Sequence, residues 1–122
     1  MEQVICIIED DESIQDVLSI ILKRAGYKIE MYSDGTAFFQ RDCTLPDLFL
    51  IDKQLPGIDG LTICKHLKEN SPTSMIPVVM MSAFPGAKEL SLSAGADNFI
   101  EKPFQLDKLL STIKHYTFKS VA

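Results

Sequence analysis

Three short stretches of the chain, 4–8, 48–51 and 78–81, are apolar at every position. Unbroken runs of strand length need cover on both faces, and a parallel sheet between two layers of helices supplies it. Lys28–Tyr32 and 98–100 are weaker strand candidates. Between the runs, apolar residues recur with helical spacing. Ile14, Val17, Leu18, Ile21, Leu22 and Ala25 share one helical face, with Asp11 or Ser13 placed to cap its start and Gly26 to end it. Leu61, Cys64 and Leu67 mark a helix over 60–70, and Leu106, Leu109, Leu110 and Ile113 mark a last one. Segments 35–41 and 87–94 predict shorter helices. The alternation β-α, five times over, with right-handed crossovers, predicts a doubly wound α/β fold with helices on both faces of a five-stranded parallel sheet.

In such a sheet ligands bind beyond the carboxyl ends of the strands, so the residues after each run carry the candidate chemistry. Glu9, Asp10, Asp11 and Glu12 follow the first run, Asp52 the third, Ser82 the fourth, and Glu101, Lys102 and Pro103 the fifth. Carboxylates gathered at one edge repel, and a hard divalent cation with oxygen ligands, Mg²⁺, neutralises them. Lys102 and Ser82 then face an anion, for which phosphate is the natural candidate.

Charge and cysteines narrow the picture. Twelve Lys and Arg against 17 Asp and Glu leave a net charge of -5. A grip on nucleic-acid phosphates needs a basic face, so direct nucleic-acid binding is not expected. Cys6, Cys43 and Cys64 are odd in number and widely spaced, and only two histidines are present. This argues against a structural zinc site and fits a reducing, cytoplasmic setting. Cys6 and Cys64 read as core fillers, Cys43 as a loop residue, and His66 and His115 as surface positions on helices. The N-terminus has no basic region followed by a long apolar run, so neither a signal peptide nor a membrane span is expected.

Four segments together resemble the receiver domain of two-component response regulators. They are the acidic start in 7–13, the stretch 46–60 around Asp52, the segment 77–83 ending in Ser82 and Ala83, and 94–104 with Lys102-Pro103-Phe104. They fall in the family's order and cover nearly the whole chain. The resemblance implies the flavodoxin-like strand order 2-1-3-4-5. It implies that Asp52 accepts a phosphoryl group from the phosphohistidine of a sensor histidine kinase or phosphotransfer protein. Asp10, Asp52 and the backbone carbonyl of Gln54 would bind Mg²⁺, with Glu9 acting partly through water. Ser82 and Lys102 would each meet a phosphoryl oxygen, Pro103 would follow a cis peptide, and Phe99 would be the switching aromatic that moves with Ser82. The partner downstream would be a target protein or an output domain. Read this way, the fold fills the chain from Val4 in the first strand to about Phe118 in the last helix, which leads us to expect a single receiver domain over 1–122 with no output domain.

Each residue also has a plainer reading. Asp52 could be a cap or turn residue, but Gln54, Pro56 and Gly57 follow it in family register. Asp11 suits a helix cap better than an extra acid, and Glu12 suits the first-turn dipole. Phe99 could be an ordinary core aromatic. Three features depart from the commonest pattern. The segment from Ser82 to Gly95 is short and contains Pro85-Gly86, which predicts a late, marginal fourth helix. Phe84 stands two residues past Ser82, where it could screen an acyl phosphate from water or simply contact a partner. Lys53 follows Asp52 directly, and strand alternation points it away from that carboxylate. Two other classes compete. A dehalogenase-like aspartyl-phosphate phosphatase would need a second Asp where Gln54 stands. A binding-only pseudo-receiver would lack an acid, the lysine or the hydroxyl, and all are present.

Overall fold

The structure, a computed structural model, describes residues 2–40 and 45–117. Five strands alternate with five helices: β1 (Val4–Ile8), α1 (Glu12–Arg24), β2 (Lys28–Tyr32), α2 (Gly35–Phe39), β3 (Leu48–Asp52), α3 (Gly60–Glu69), β4 (Val78–Ser82), α4 (Ala87–Ser93), β5 (Asn98–Glu101) and α5 (Leu106–Thr117). A 3-10 turn at Thr73–Met75 leads from α3 into β4. The strands form one parallel sheet in the order β2-β1-β3-β4-β5, as expected.

The continuous apolar runs are explained by two cores. Ile5, Ile7, Leu48, Leu50, Val79 and Met81 face one way and pack against Leu18 and Leu22 of α1 and Leu109 and Ile113 of α5. Cys6, Ile8, Phe49, Ile51, Val78 and Met80 face the other way, against Phe38 of α2 and Ile63, Cys64 and Leu67 of α3. Every one of these side chains is essentially inaccessible to water. At about 1.5–3 kcal/mol for each large aliphatic or aromatic side chain, this double burial drives the fold. The edge strand β2 is only partly covered, which is why its sequence pattern is weaker.

Two strands run one residue beyond their apolar runs. Asp52 is the last residue of β3 and pairs with Met81, and Ser82 is the last of β4 and pairs with Glu101. The parallel ladder, rather than hydrophobicity, carries them into the sheet. Helix α2 ends at Phe39; Arg41, Cys43 and Phe118 lie outside the described residues.

Helices α1, α2 and α3 start at the carboxyl edge of the sheet, each capped by an aspartate. Asp11 accepts from the Ile14 N–H at 3.1 Å, Asp34 from Ala37 at 2.7 Å and Asp59 from Thr62 at 3.0 Å. Helix α4 has no such cap. It spans seven residues behind Gly86, whose φ of 80° is left-handed. Within it the fully buried Ser91 hydroxyl has no hydrogen-bond partner among the described residues. An orphaned buried hydroxyl costs about 1–3 kcal/mol. Ser91→Ala is therefore expected to raise the urea midpoint, by about 1 kcal/mol in stability, although it deletes a buried atom.

Candidate functional site

Strands β1, β3 and β5 deliver their following or final residues to one point at the carboxyl edge. Backbone bonds hold them there. The Glu9 N–H donates to the Tyr32 carbonyl at 3.0 Å, the Lys53 N–H to Met81 at 2.8 Å and the Lys102 N–H to Ser82 at 2.9 Å. The ladder thus continues one step past the strands and fixes the residues that matter. Gln15, in the first turn of α1, adds a side-chain bond to the Glu9 carbonyl at 2.5 Å.

Glu9, Asp10 and Asp52 bring one carboxylate oxygen each within 4.8 Å of one another. Glu9 is fully buried, Asp52 is 5% exposed, and Asp10 is open to solvent. The Lys102 ammonium reaches across the sheet edge to Glu9 Oε1 at 2.8 Å and to Asp52 Oδ2 at 3.2 Å. The remaining oxygens are also engaged: Glu9 Oε2 accepts from the Asp11 N–H at 3.2 Å, and Asp52 Oδ1 from the Gln54 N–H at 3.3 Å. Asp10, Lys53, Gln54, Pro56 and Asp59 line an open cleft beside this cluster. Carboxylate oxygens converging from two strands, one of them facing solvent, form the donor set a hard cation such as Mg²⁺ takes.

Burial pushes the Glu9 carboxyl up to about 7, and the Asp52 charge adds to this, while the Lys102 hydrogen bond pulls it down. For Lys102, burial opposes the charged form, but the hydrogen bond to Glu9 and the Asp52 charge outweigh it, so its pKa is raised. Glu9 therefore favours the fold most when protonated. Its contribution is complete below its ordinary value of 4.5 and is lost as pH rises through about 7. In a chelating buffer, stability is expected to fall between pH 5 and pH 8, roughly, and Glu9→Gln to flatten that slope. Chemical unfolding across the range reads it.

The other expected residues fall around the cluster. Ser82 is buried, and its oxygen accepts from the Phe84 N–H at 3.0 Å. This leaves the hydroxyl proton free to donate. Phe99 is half-buried against the α2–α3 core and, with Phe84, Pro85 and Glu101, lines a groove beside α4. The Lys102–Pro103 peptide is cis, as the resemblance implied, and a second cis bond, Ser71–Pro72, carried no such expectation. Asp11 caps α1 rather than joining the acids. Cys6 and Cys64 are buried, and burial pushes the Cys64 thiol up to about 11. His66 is exposed on α3, edge-on to Phe39 at 4.9 Å, and His115 is exposed on α5.

Sequence reasoning did not single out Gly60. Its amide donates to the Lys53 carbonyl at 3.0 Å. A β-carbon there would lie 2.1 Å from the Asp52 carbonyl oxygen. Its place in the Asp59-Gly60 pair is the sequence cue, and that cue does not distinguish a tight approach from an ordinary turn.

The family model for the response regulator receiver domain matches residues 5–114. The chain belongs to this family. RpaA of Synechocystis sp., a DNA-binding dual master transcriptional regulator, is 35% identical over 113 residues, covering 90% of this chain and 47% of that protein. The DNA-binding response regulator MtrA of Mycolicibacterium paratuberculosis is 34% identical, covering 93% of this chain and 51% of its own length. The receiver thus spans about half the length of the curated relatives it matches. Among solved structures, the receiver domain of a signal transduction histidine kinase from Syntrophus aciditrophicus superposes with a TM-score of 0.87 at 31% identity, covering 98% of this chain and 92% of that one. The chemotaxis response regulator CheY4 of Vibrio cholerae gives 0.84 at 26% identity, over 95% and 99% of the two chains. Receivers of this family are signalling modules rather than conventional enzymes. Among the described residues no helix is long and apolar enough to cross a membrane.

Proposed function

We propose that this receiver takes a phosphoryl group onto Asp52 from the phosphohistidine of a sensor histidine kinase or phosphotransfer protein, with Mg²⁺ held by Asp10, Asp52 and the Gln54 carbonyl. The observation that carries this reading is the convergence of three carboxylates with Lys102 lying between two of them. The DrrB receiver, 26% identical to this chain, is known in a BeF3-activated form. Both Glu9 oxygens are already engaged, so Glu9 would reach the cation through water.

In the transfer, an Asp52 oxygen bonds to phosphorus while the phosphorus–nitrogen bond breaks and its electron pair returns to the imidazole. Such a reaction needs positioning and charge neutralisation more than covalent help. Bound Mg²⁺ supplies charge neutralisation at the phosphoryl oxygens. Lys102, freed from Asp52, turns to a second oxygen, and the Ser82 hydroxyl donates to a third. Phosphorylation replaces the Asp52 carboxylate, at one negative charge, by an acyl phosphate at nearly two, and brings three strong acceptor oxygens. Drawing Ser82 inward shifts the β4–α4 segment and gives Phe99 room to follow. The uncapped α4 with its orphan Ser91 is the element such a charge biases most cheaply. The changed face would bind a target protein or an output domain. The receiver itself, at a net charge of -5, would not hold nucleic acid. Uptake from a small phosphodonor, lost in Asp52→Asn, tests the reading.

A further inference from the structure

Gln15 on α1 has no part in the transfer described above, yet it holds the peptide next to one of the acids. Glu9 follows β1, and its N–H still pairs with the Tyr32 carbonyl at 3.0 Å. Strand β2 ends at Tyr32, and the Glu9 carbonyl takes its hydrogen bond from a side chain. The Gln15 Nε2 donates to it at 2.5 Å and to the Ser33 hydroxyl oxygen at 3.2 Å. One amide thus joins three segments: the end of β1, the first turn of α1 and the start of the β2–α2 loop.

The bond matters because of the residue that follows. The Glu9 carbonyl belongs to the Glu9–Asp10 peptide, which is planar and stiff. A bond to its oxygen therefore also fixes the direction in which the chain enters Asp10. Among the described residues no backbone hydrogen bond reaches Asp10 itself. Its carboxylate faces solvent, whereas Glu9 is fully buried and Asp52 nearly so. Packing holds those two acids of the cluster, and Asp10 depends on its peptide links. On its far side the Asp11 N–H donates to Glu9 Oε2 at 3.2 Å, and Asp11 caps α1.

We propose that Gln15 is a positioning residue for the cation site: it holds the Glu9–Asp10 peptide so that the Asp10 carboxylate is ordered before Mg²⁺ arrives, and Ser33 acts through it. The inference rests on Asp10 being a Mg²⁺ ligand. Mg²⁺ demands near-ideal octahedral geometry and gives up water reluctantly. A ligand that must be immobilised on binding therefore lowers affinity. Groups that orient a ligand without touching the metal typically account for about 10–100-fold in affinity. Ser33 keeps the Gln15 amide turned toward the Glu9 carbonyl, so the β2–α2 loop has a share in metal affinity.

The test unfolds the unphosphorylated chain with urea over a series of Mg²⁺ concentrations. Binding to the folded chain raises the midpoint once Mg²⁺ exceeds its dissociation constant. The concentration at which the rise begins therefore reads affinity separately from stability without metal. Gln15→Met, close in size and helix preference but lacking the donor, is expected to move that concentration about tenfold higher. Ser33→Ala should move it about threefold, the size of one net hydrogen bond. The double variant should move it no further than Gln15→Met alone, because Ser33 acts only through the amide. If Gln15→Met lowers the midpoint equally at every Mg²⁺ concentration and leaves the onset in place, Gln15 is structural only, and the inference falls while Asp10 stands as a ligand. Shifts that multiply in the double variant would overturn the part given to Ser33. An unsubstituted chain whose midpoint never rises with Mg²⁺ would overturn the cation site as well.

Discussion

Lys102→Met is expected to lower Mg²⁺-dependent phosphoryl uptake by about a hundredfold or more, the usual scale for deleting one charge-stabilising group from a transfer site. The variant keeps the aliphatic stem and removes only the ammonium. What remains is Glu9, fully buried, facing Asp52 at 5% exposure with no cation between them. Stripping one partner from a buried charged pair costs about 3–5 kcal/mol when the other charge stays in place. Here Glu9 can relieve part of that by taking up a proton, since burial already holds it near 7. The destabilisation should therefore be larger at pH 8 than at pH 6, roughly, and the decline in stability with pH steeper than in the unsubstituted chain. Unfolding curves at the two pH values, alongside uptake assays, separate the two effects. Equal stability loss at both would mean that Lys102 contributes packing rather than charge.

Gly60→Ala should be among the most damaging single substitutions in the molecule. Its added methyl would sit 2.1 Å from the Asp52 carbonyl oxygen and 2.8 Å from the Lys53 Cα. Both neighbours are backbone, held by the β3–β4 ladder, so no side-chain rotation makes room. Relief must come from moving α3 or from displacing the segment that carries Asp52. Overpacking of this kind costs about 3 kcal/mol or more. The variant is expected to lose at least that much in chemical unfolding, and whatever folds should take up phosphoryl groups poorly. A stability loss under about 1 kcal/mol would contradict the tight packing of α3 on the end of β3.

Much of this was written in the sequence because the physics is local or strongly repetitive. Strands buried on both faces must be apolar throughout, which marked β1, β3 and β4. Carboxylates, a hydroxyl and a lysine at successive strand ends pointed to the site because the fold class says where strand ends meet. The boundaries at Asp52 and Ser82 were less visible, since polar residues continue the ladder there for reasons of pairing. Phe84 showed as a bulky residue near the site and Lys53 as an unusual neighbour of Asp52. Their contact, with the Lys53 ammonium 5.4 Å from the Phe84 ring centroid, could not be read, because it depends on two loops approaching in space. The same holds for Gly60, whose necessity comes from a backbone carbonyl eight residues earlier, and for Ser91, whose missing partner is a property of the packed core. The Glu9–Lys102 bond, between residues 93 apart, was legible only as two members of one cluster.

The most direct test of the account is to incubate the chain with acetyl phosphate, with Mg²⁺ or with a chelator, and locate any added phosphoryl group by peptide mass. One phosphoryl group is expected on Asp52 in the presence of Mg²⁺, none in the chelator, and none in Asp52→Asn. A folded chain that stays unmodified with Mg²⁺, or that carries the group elsewhere, would contradict it and favour a receiver that only binds partners.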